Sequence, residues 1–274
     1  MYIMKKIGTF CAALFLVGFN YSVLAQSATK ANAPVPVRIT GEVLDFKASL
    51  SDPRKAYNWL KTELARNRKT DSFSSSTEVE REIAELKDRF TAFGPIGFQI
   101  PQDISPNGNL PATCKLTFHP NVPELEYALN IFGFPSEKYL SKPTNDLSRI
   151  PVWSQSVEQN SYIGQNSFGA RVEVGRTLIT EVSVATSKLP WTPPTGKLAL
   201  ESGEARSLIR HLNCALTGIL NAPFVYQLDS TEKPTLEYPY ETKTLSSVIF
   251  MSNVSLILFD KRTGRIVSST PITK

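Results

Sequence analysis

The sequence predicts an α+β protein, with an antiparallel sheet drawn mainly from the C-terminal half, helices packed on one of its faces, and a helical hairpin near the N-terminus. Three observations carry that expectation. Leu245 to Thr270 reads as a hairpin, because Val248, Phe250, Val254, Leu256 and Leu258 fall at even steps while Ile249, Met251, Ile257 and Phe259 fill the odd ones. Apolar residues on both sides of a strand indicate a central strand covered on each face. Asp260 to Gly264 then supplies a turn into Ile266 and Val267. The glycine can adopt the positive φ that a short loop needs. Second, Phe168, Ala170, Val172 and Val174 alternate with polar residues, and so do Leu178, Thr180, Val182 and Val184 beyond Gly175-Arg176. That is the pattern of a hairpin with one wet face. Third, two stripes at helical spacing lie between Asp52 and Phe93.

Taken in order, residues 1–25 have the layout of a cleaved export signal. Lys5 and Lys6 precede an apolar run from Ile7 to Phe19, and Val23-Leu24-Ala25 offers a small-residue cleavage site before Gln26. Asn20 ends the run short of the ~18–20 residues that span a bilayer. The Met-Lys-Lys style of the start is bacterial, which predicts a periplasmic or secreted protein with no transmembrane segment after cleavage. Residues 26–36 are small and polar without periodicity and read as a disordered tether, leaving 37–274 as a single two-lobed domain. Val37 to Phe46 has room for a short strand.

Asp52 before Pro53 makes an N-cap and first-turn pair, and Ala56, Tyr57, Leu60 and Leu64 share one face of the helix that follows. Opposite lie Arg54, Lys61, Arg68 and Lys69, a solvated basic face. In the second helix Thr77 and Glu80 are the expected capping box, with Val79, Ile83, Leu86, Phe90 and Phe93 as its apolar stripe and Gly94-Pro95 as its stop. The short polar link from Lys69 to Ser76 favours pairing the two helices. Ile96 to Ile100 and Cys114 to Phe118 read as extended, Pro123 to Phe132 as a short helix, and the proline-rich stretch ending near 141–151 as an internal boundary. Val152 to Val157 opens the second half. Ser202 caps an expected helix running through Leu220, which would place Cys214 on a helix, and Phe224 to Leu228 returns to strand.

Composition sets further bounds. The chain has 274 residues, 30 basic and 25 acidic. Removing Lys5 and Lys6 leaves 28 bases against those 25 acids, a net charge of +3 that is too mild to indicate a nucleic-acid partner. Of three cysteines, Cys11 lies in the leader, and Cys114 and Cys214 remain as a pair. In an oxidising compartment such a pair is most simply a disulfide.

Motifs for chemistry are sparse. His119 and His211 are the only histidines and no HExxH or CxxC occurs, so no metal or other cofactor is indicated. Gly164 to Gly169 carries Ser167 but has one residue too many for a hydrolase elbow, and Gly196-Lys197 lacks the rest of a phosphate-binding loop. The candidate ligand contacts are therefore Tyr162, Gln165 and Asn166 in the turn after the tyrosine strand, together with Trp191 in a proline-rich loop. Tyrosine and tryptophan offer large contact area for little rotamer entropy, and the amides add uncharged donors and acceptors. The expected function is non-enzymatic binding or scaffolding in the bacterial envelope, the partner being another envelope protein, a peptide or a glycan. The alternative is a hydrolase working on glycan through two carboxylates from distant parts of the chain.

Overall fold

The computed structural model describes residues 34, 36–37, 39–40, 43–44, 50–70, 73–102, 112–119, 124–130, 147–165, 168–187, 195–200 and 202–272. The stretch expected as a leader at 1–25, nearly all of that expected as a tether, and the expected boundary up to 146 lie outside them. Strands dominate: Ile39–Thr40 (β1), Val43–Leu44 (β2), Ile96–Ile100 (β3), Thr113–His119 (β4), Glu124–Asn130 (β5), Leu147–Gln165 (β6), Arg171–Ser187 (β7), Thr195–Ala199 (β8), Leu212–Glu232 (β9), Tyr240–Asp260 (β10) and Ile266–Pro271 (β11). The helices are Pro53–Asn67 (α1), Ser76–Phe93 (α2) and the single-turn-scale Ser202–Leu208 (α3).

The α+β expectation is overturned: this is a mostly β protein built on a mixed sheet. The large sheet runs β3-β9-β10-β7-β6, with β11 added beside β10. β10 is its axis, as its two-sided apolar pattern requires. Its whole length pairs antiparallel with β9, while its other edge is shared, Tyr240 to Phe250 running parallel to β7 and Ser255 to Phe259 antiparallel to β11. At roughly 3.3 Å per residue, the 21 residues of β10 would reach about 70 Å if straight. They are not straight. Register slips occur at Ile249/Met251 and Ser252/Ser255, where Asn253 has φ +51° and, across the pair, the Ala222-Pro223 peptide is cis and Phe224 has φ +70°. A phenylalanine rarely adopts such a φ; here its buried ring packs 4.9 Å from that of Phe90.

The bend divides the sheet. Below it, β3, β9, β10 and β11 are covered by a second sheet, β4-β5-β8, and Cys114 of β4 is disulfide-bonded to Cys214 of β9 with Cα atoms 6.1 Å apart. Both cysteines are buried in the main core. Tyr127 of β5 donates to Ser268 Oγ at 2.7 Å and lies 2.6 Å from Thr270 Oγ1, tying the small sheet to β11. On the opposite face Val37, Leu44 and Leu50 cover Ala215, Ile257 and Phe259. Above the bend, β6, β7, β10 and β9 continue as a four-stranded projection whose outer residues are largely exposed.

Several local expectations change with the fold. The two N-terminal helices form, but each is seated on the sheet rather than making an independent hairpin: α2 packs chiefly on β9, and α1 on β9, β10, β6 and β7. Trp59 of α1 meets Phe90 and Phe93 where both helices reach the core. Val79 and Ile83, counted as core, are exposed because the first turns of α2 run beyond the sheet. Its capping box is Ser75 with Glu78, not Thr77 with Glu80. The stretch expected as helix at 123–132 is strand β5, with Leu125, Tyr127 and Leu129 buried at period two. The helix expected through Leu220 ends at Leu208, and Cys214 stands on β9, where a strand flanked by β3 and β10 satisfies backbone groups that a lone helix would otherwise have to pair internally. Gly175-Arg176 is no turn. Gly175 lies inside β7 because the Tyr240 ring crosses it, 2.9 Å from where a Cβ would stand.

Candidate functional site

The end of the projection gathers three of the exposed aromatic residues, Tyr162, Tyr238 and Tyr240. It is built from the last residues of β6, the first of β7, and the connection from β9 to β10. That connection is tight: Tyr238 N donates to Thr235 Oγ1 at 3.0 Å, Thr235 N to Tyr238 O at 2.9 Å, and Gly175 N to Pro239 O at 3.0 Å. The last bond fixes the connection to β7. Tyr238 and Tyr240 thus stand 5.4 Å apart, ring to ring, although they are 70% and 55% exposed. Leu236 and Ile163 are exposed beside them, and pairing puts Ile163 on the same face as Tyr240.

The other face of this tip is polar. Tyr162 donates its hydroxyl to Glu241 Oε2 at 3.1 Å, Arg176 Nε reaches Glu241 Oε1 at 3.4 Å, and the Arg176 guanidinium lies 5.8 Å from the centre of the Tyr162 ring. Partial desolvation and the neighbouring Glu241 carboxylate both push the Tyr162 hydroxyl above its ordinary pKa, so it stays a hydrogen-bond donor. Ser161 Oγ donates to Glu173 at 2.5 Å on the Ile163 side, since Glu173 is the register partner of Ile163.

Of the residues singled out from sequence, Tyr162 and Gln165 lie near the end of β6, seven and four positions before Gly169, whose φ is +85°. Gln165 pairs with Arg171 at the mouth of the hairpin. Asn166 and Trp191 lie outside the described residues. The sequence reading missed Tyr238, Tyr240, Arg176 and Glu241. The one available signal was Tyr238-Pro239-Tyr240, two tyrosines around a proline in a connection.

A second concavity, a cleft of about 430 Å³, opens between β8, α3 and the β10–β11 turn, lined among others by Leu198, Glu204, Asp260, Arg262 and Arg265. It contains two acids, but Asp260 is committed to the turn. Burial opposes its ionisation, yet bonds from the Arg262 amide (2.8 Å) and the Thr263 hydroxyl and amide, with the Arg262 charge, outweigh that and hold its pKa below the ordinary value. A carboxylate held that way is a poor proton donor near neutral pH. Among the described residues no three His, Cys, Asp or Glu side chains gather as a metal site, and no helix is long and apolar enough to cross a membrane.

No family model, curated protein or solved structure matches the chain.

Proposed function

We propose that the protein is an exported binding or scaffolding protein of the bacterial cell envelope that holds a protein partner with the tip of its four-stranded projection. The observation that carries this reading is the pair Tyr238 and Tyr240. Two rings this exposed are fixed by a braced connection on a rigid sheet, so contact with a partner costs little ordering entropy. Tyr162, Arg176 and Glu241 supply a pre-formed polar rim on the other face, and interfaces combine an aromatic centre with such a rim. Export rests on the leader at 1–25 and is compatible with the Cys114–Cys214 disulfide, a bond that persists in oxidising compartments.

The test pairs location with capture. The chain should leave producing cells in the periplasmic or medium fraction with an intact mass beginning at Gln26. Protein carrying Tyr238→Ala and Tyr240→Ala should melt with the parent and lose the envelope protein that the parent retains. Retention of residues 1–25, or equal capture by the double variant, would sink the proposal.

A further inference from the structure

Among the described residues, β6 is an outer strand of the large sheet. We propose that it pairs antiparallel with β6 of a second copy, joining the two projections into one eight-stranded sheet.

Three observations lead there. First, the outer side of β6 is free over a definite span. Ala112 N donates to Pro151 O at 2.6 Å and closes the start of the edge, but among the described residues no backbone bond leaves its outer side beyond that point. From Trp153 to Gln159 the strand keeps unbroken register with β7, Trp153 opposite Val182 and Gln159 opposite Arg176, before a slip between Gln159 and Tyr162. Over these seven residues, alternate amides and carbonyls bond β7 and the others point outward with no backbone partner among the described residues.

Second, between its two register slips this edge is lightly guarded. Proteins protect exposed edges with lysine, proline, inward charges or very short strands. From Val152 to Gln165 the sequence VWSQSVEQNSYIGQ holds no proline and no base, and Glu158 is its only charge. The opposite edge of the projection is more densely charged: Val225–Glu232 of β9 carries two acids, Asp229 and Glu232, in eight residues. Val157 and Ile163 are nevertheless 48% and 65% exposed on β6.

Third, the free span is self-complementary. Its midpoint is Ser156. Antiparallel pairing about that residue sets Gln155 against Val157, Ser154 against Glu158 and Trp153 against Gln159 of the other copy. The one acid on each strand therefore meets a serine, never its own kind. A two-fold antiparallel pairing uses the same edge twice, which is the isologous arrangement most homodimers adopt. Edge-to-edge sheet formation gains main-chain bonds without needing a pocket.

The experiment is the solution mass of the full chain as isolated, by sedimentation over a wide concentration range, against a Gln155→Lys, Val157→Lys double variant. Both positions are exposed, so the fold should be kept, and pairing about Ser156 would put lysine opposite lysine twice. The expected result is a parent that doubles in mass as concentration rises and a variant of single mass with the parent's melting temperature. A parent that stays a monomer throughout, or a variant that dimerises as the parent does, overturns the proposal. Should the double variant melt early, Ser156→Cys decides: thiols on the two-fold axis should oxidise to a covalent dimer, and absence of that species overturns the pairing.

Discussion

Gly196 of β8 sits directly beneath the ring of Tyr127 on β5, so close that a methyl group there would interpenetrate the phenol. The two residues are register partners, and the missing side chain is what lets the Tyr127 ring lie flat across β8 and reach Ser268 and Thr270 on β11. The closure of the small sheet on the large one thus depends on a residue with nothing to contribute but space. Gly196→Ala should destabilise by about 1–3 kcal/mol or more, the scale of overpacking a core. Tyr127→Phe, which keeps the ring and removes the hydroxyl, should cost about 0.5–1.5 kcal/mol by removing the phenol's bonds to two half-buried hydroxyls. Denaturant midpoints at unchanged slope would check both.

The disulfide joins β4 to β9 across the two sheets and closes a sequence separation of 100 residues. In the chain-entropy model a loop of that size is worth up to about 4.7 kcal/mol, and measured losses on removing native disulfides run about 2–5 kcal/mol. Cys114→Ser with Cys214→Ser should lower stability within that range, and reductant should lower the parent to the level of the variant. Equal melting with and without reductant would contradict this.

Acid should release the β10–β11 turn. The Asp260 carboxyl has a folded pKa below its ordinary value of 3.8, because turn hydrogen bonds outweigh burial. A depressed folded pKa adds stability that is complete above the unfolded value and fades as pH falls through the folded one. Asp52, where amide and Arg54 bonds likewise outweigh burial, behaves in the same sense. Unfolding midpoints followed between about pH 2 and pH 6 should fall below about pH 4, and Asp260→Asn should flatten that limb while weakening the protein near neutral pH. A limb of unchanged steepness in the variant would assign the acid loss elsewhere.

The start of α2 gives a sharp comparison. Ser75 Oγ accepts from Glu78 N at 3.3 Å, while Ser75 N at 2.8 Å and the Ser75 hydroxyl at 2.9 Å donate to the Glu78 carboxylate and draw its pKa down. Ser75→Ala should cost about 0.5–2 kcal/mol. Thr77→Ala, at the residue the sequence pattern favoured as the cap, should stay within about 0.5 kcal/mol. Thermal melts of the two single variants suffice to tell them apart.

Much of the frame is readable from residue order because it rests on local chemistry. The two-sided apolar run of β10, the Asp260–Gly264 turn with Gly264 at φ +77°, the Asp52-Pro53 helix start and the apolar face carrying Ala56, Tyr57 and Leu60 each follow from spacing and backbone preference. Glu124 to Asn130 was readable too, since Leu125, Tyr127 and Leu129 alternate, yet leucine and alanine at helical spacing favoured the wrong state. Tyr162 and Gln165 were legible as turn-adjacent polar and aromatic residues. Their partners were not: Tyr162 meets Glu241 only because β7 runs parallel to β10 between them, a pairing 79 residues apart in sequence.

The sequence by itself determined the turn at Asp260–Gly264, which strand is buried on both faces, and that two cysteines are available to pair. Tertiary structure decided the rest. Leu212 to Leu220 is helical by composition but becomes strand, since β3 and β10 offer hydrogen bonds and burial on both of its edges and no local preference of a few tenths of a kcal/mol per residue resists that. Gly175 is a crossing point for Tyr240 rather than a turn for the same reason. Conformational preference acts over a few residues, whereas burial and sheet pairing are settled by neighbours that only the folded chain supplies.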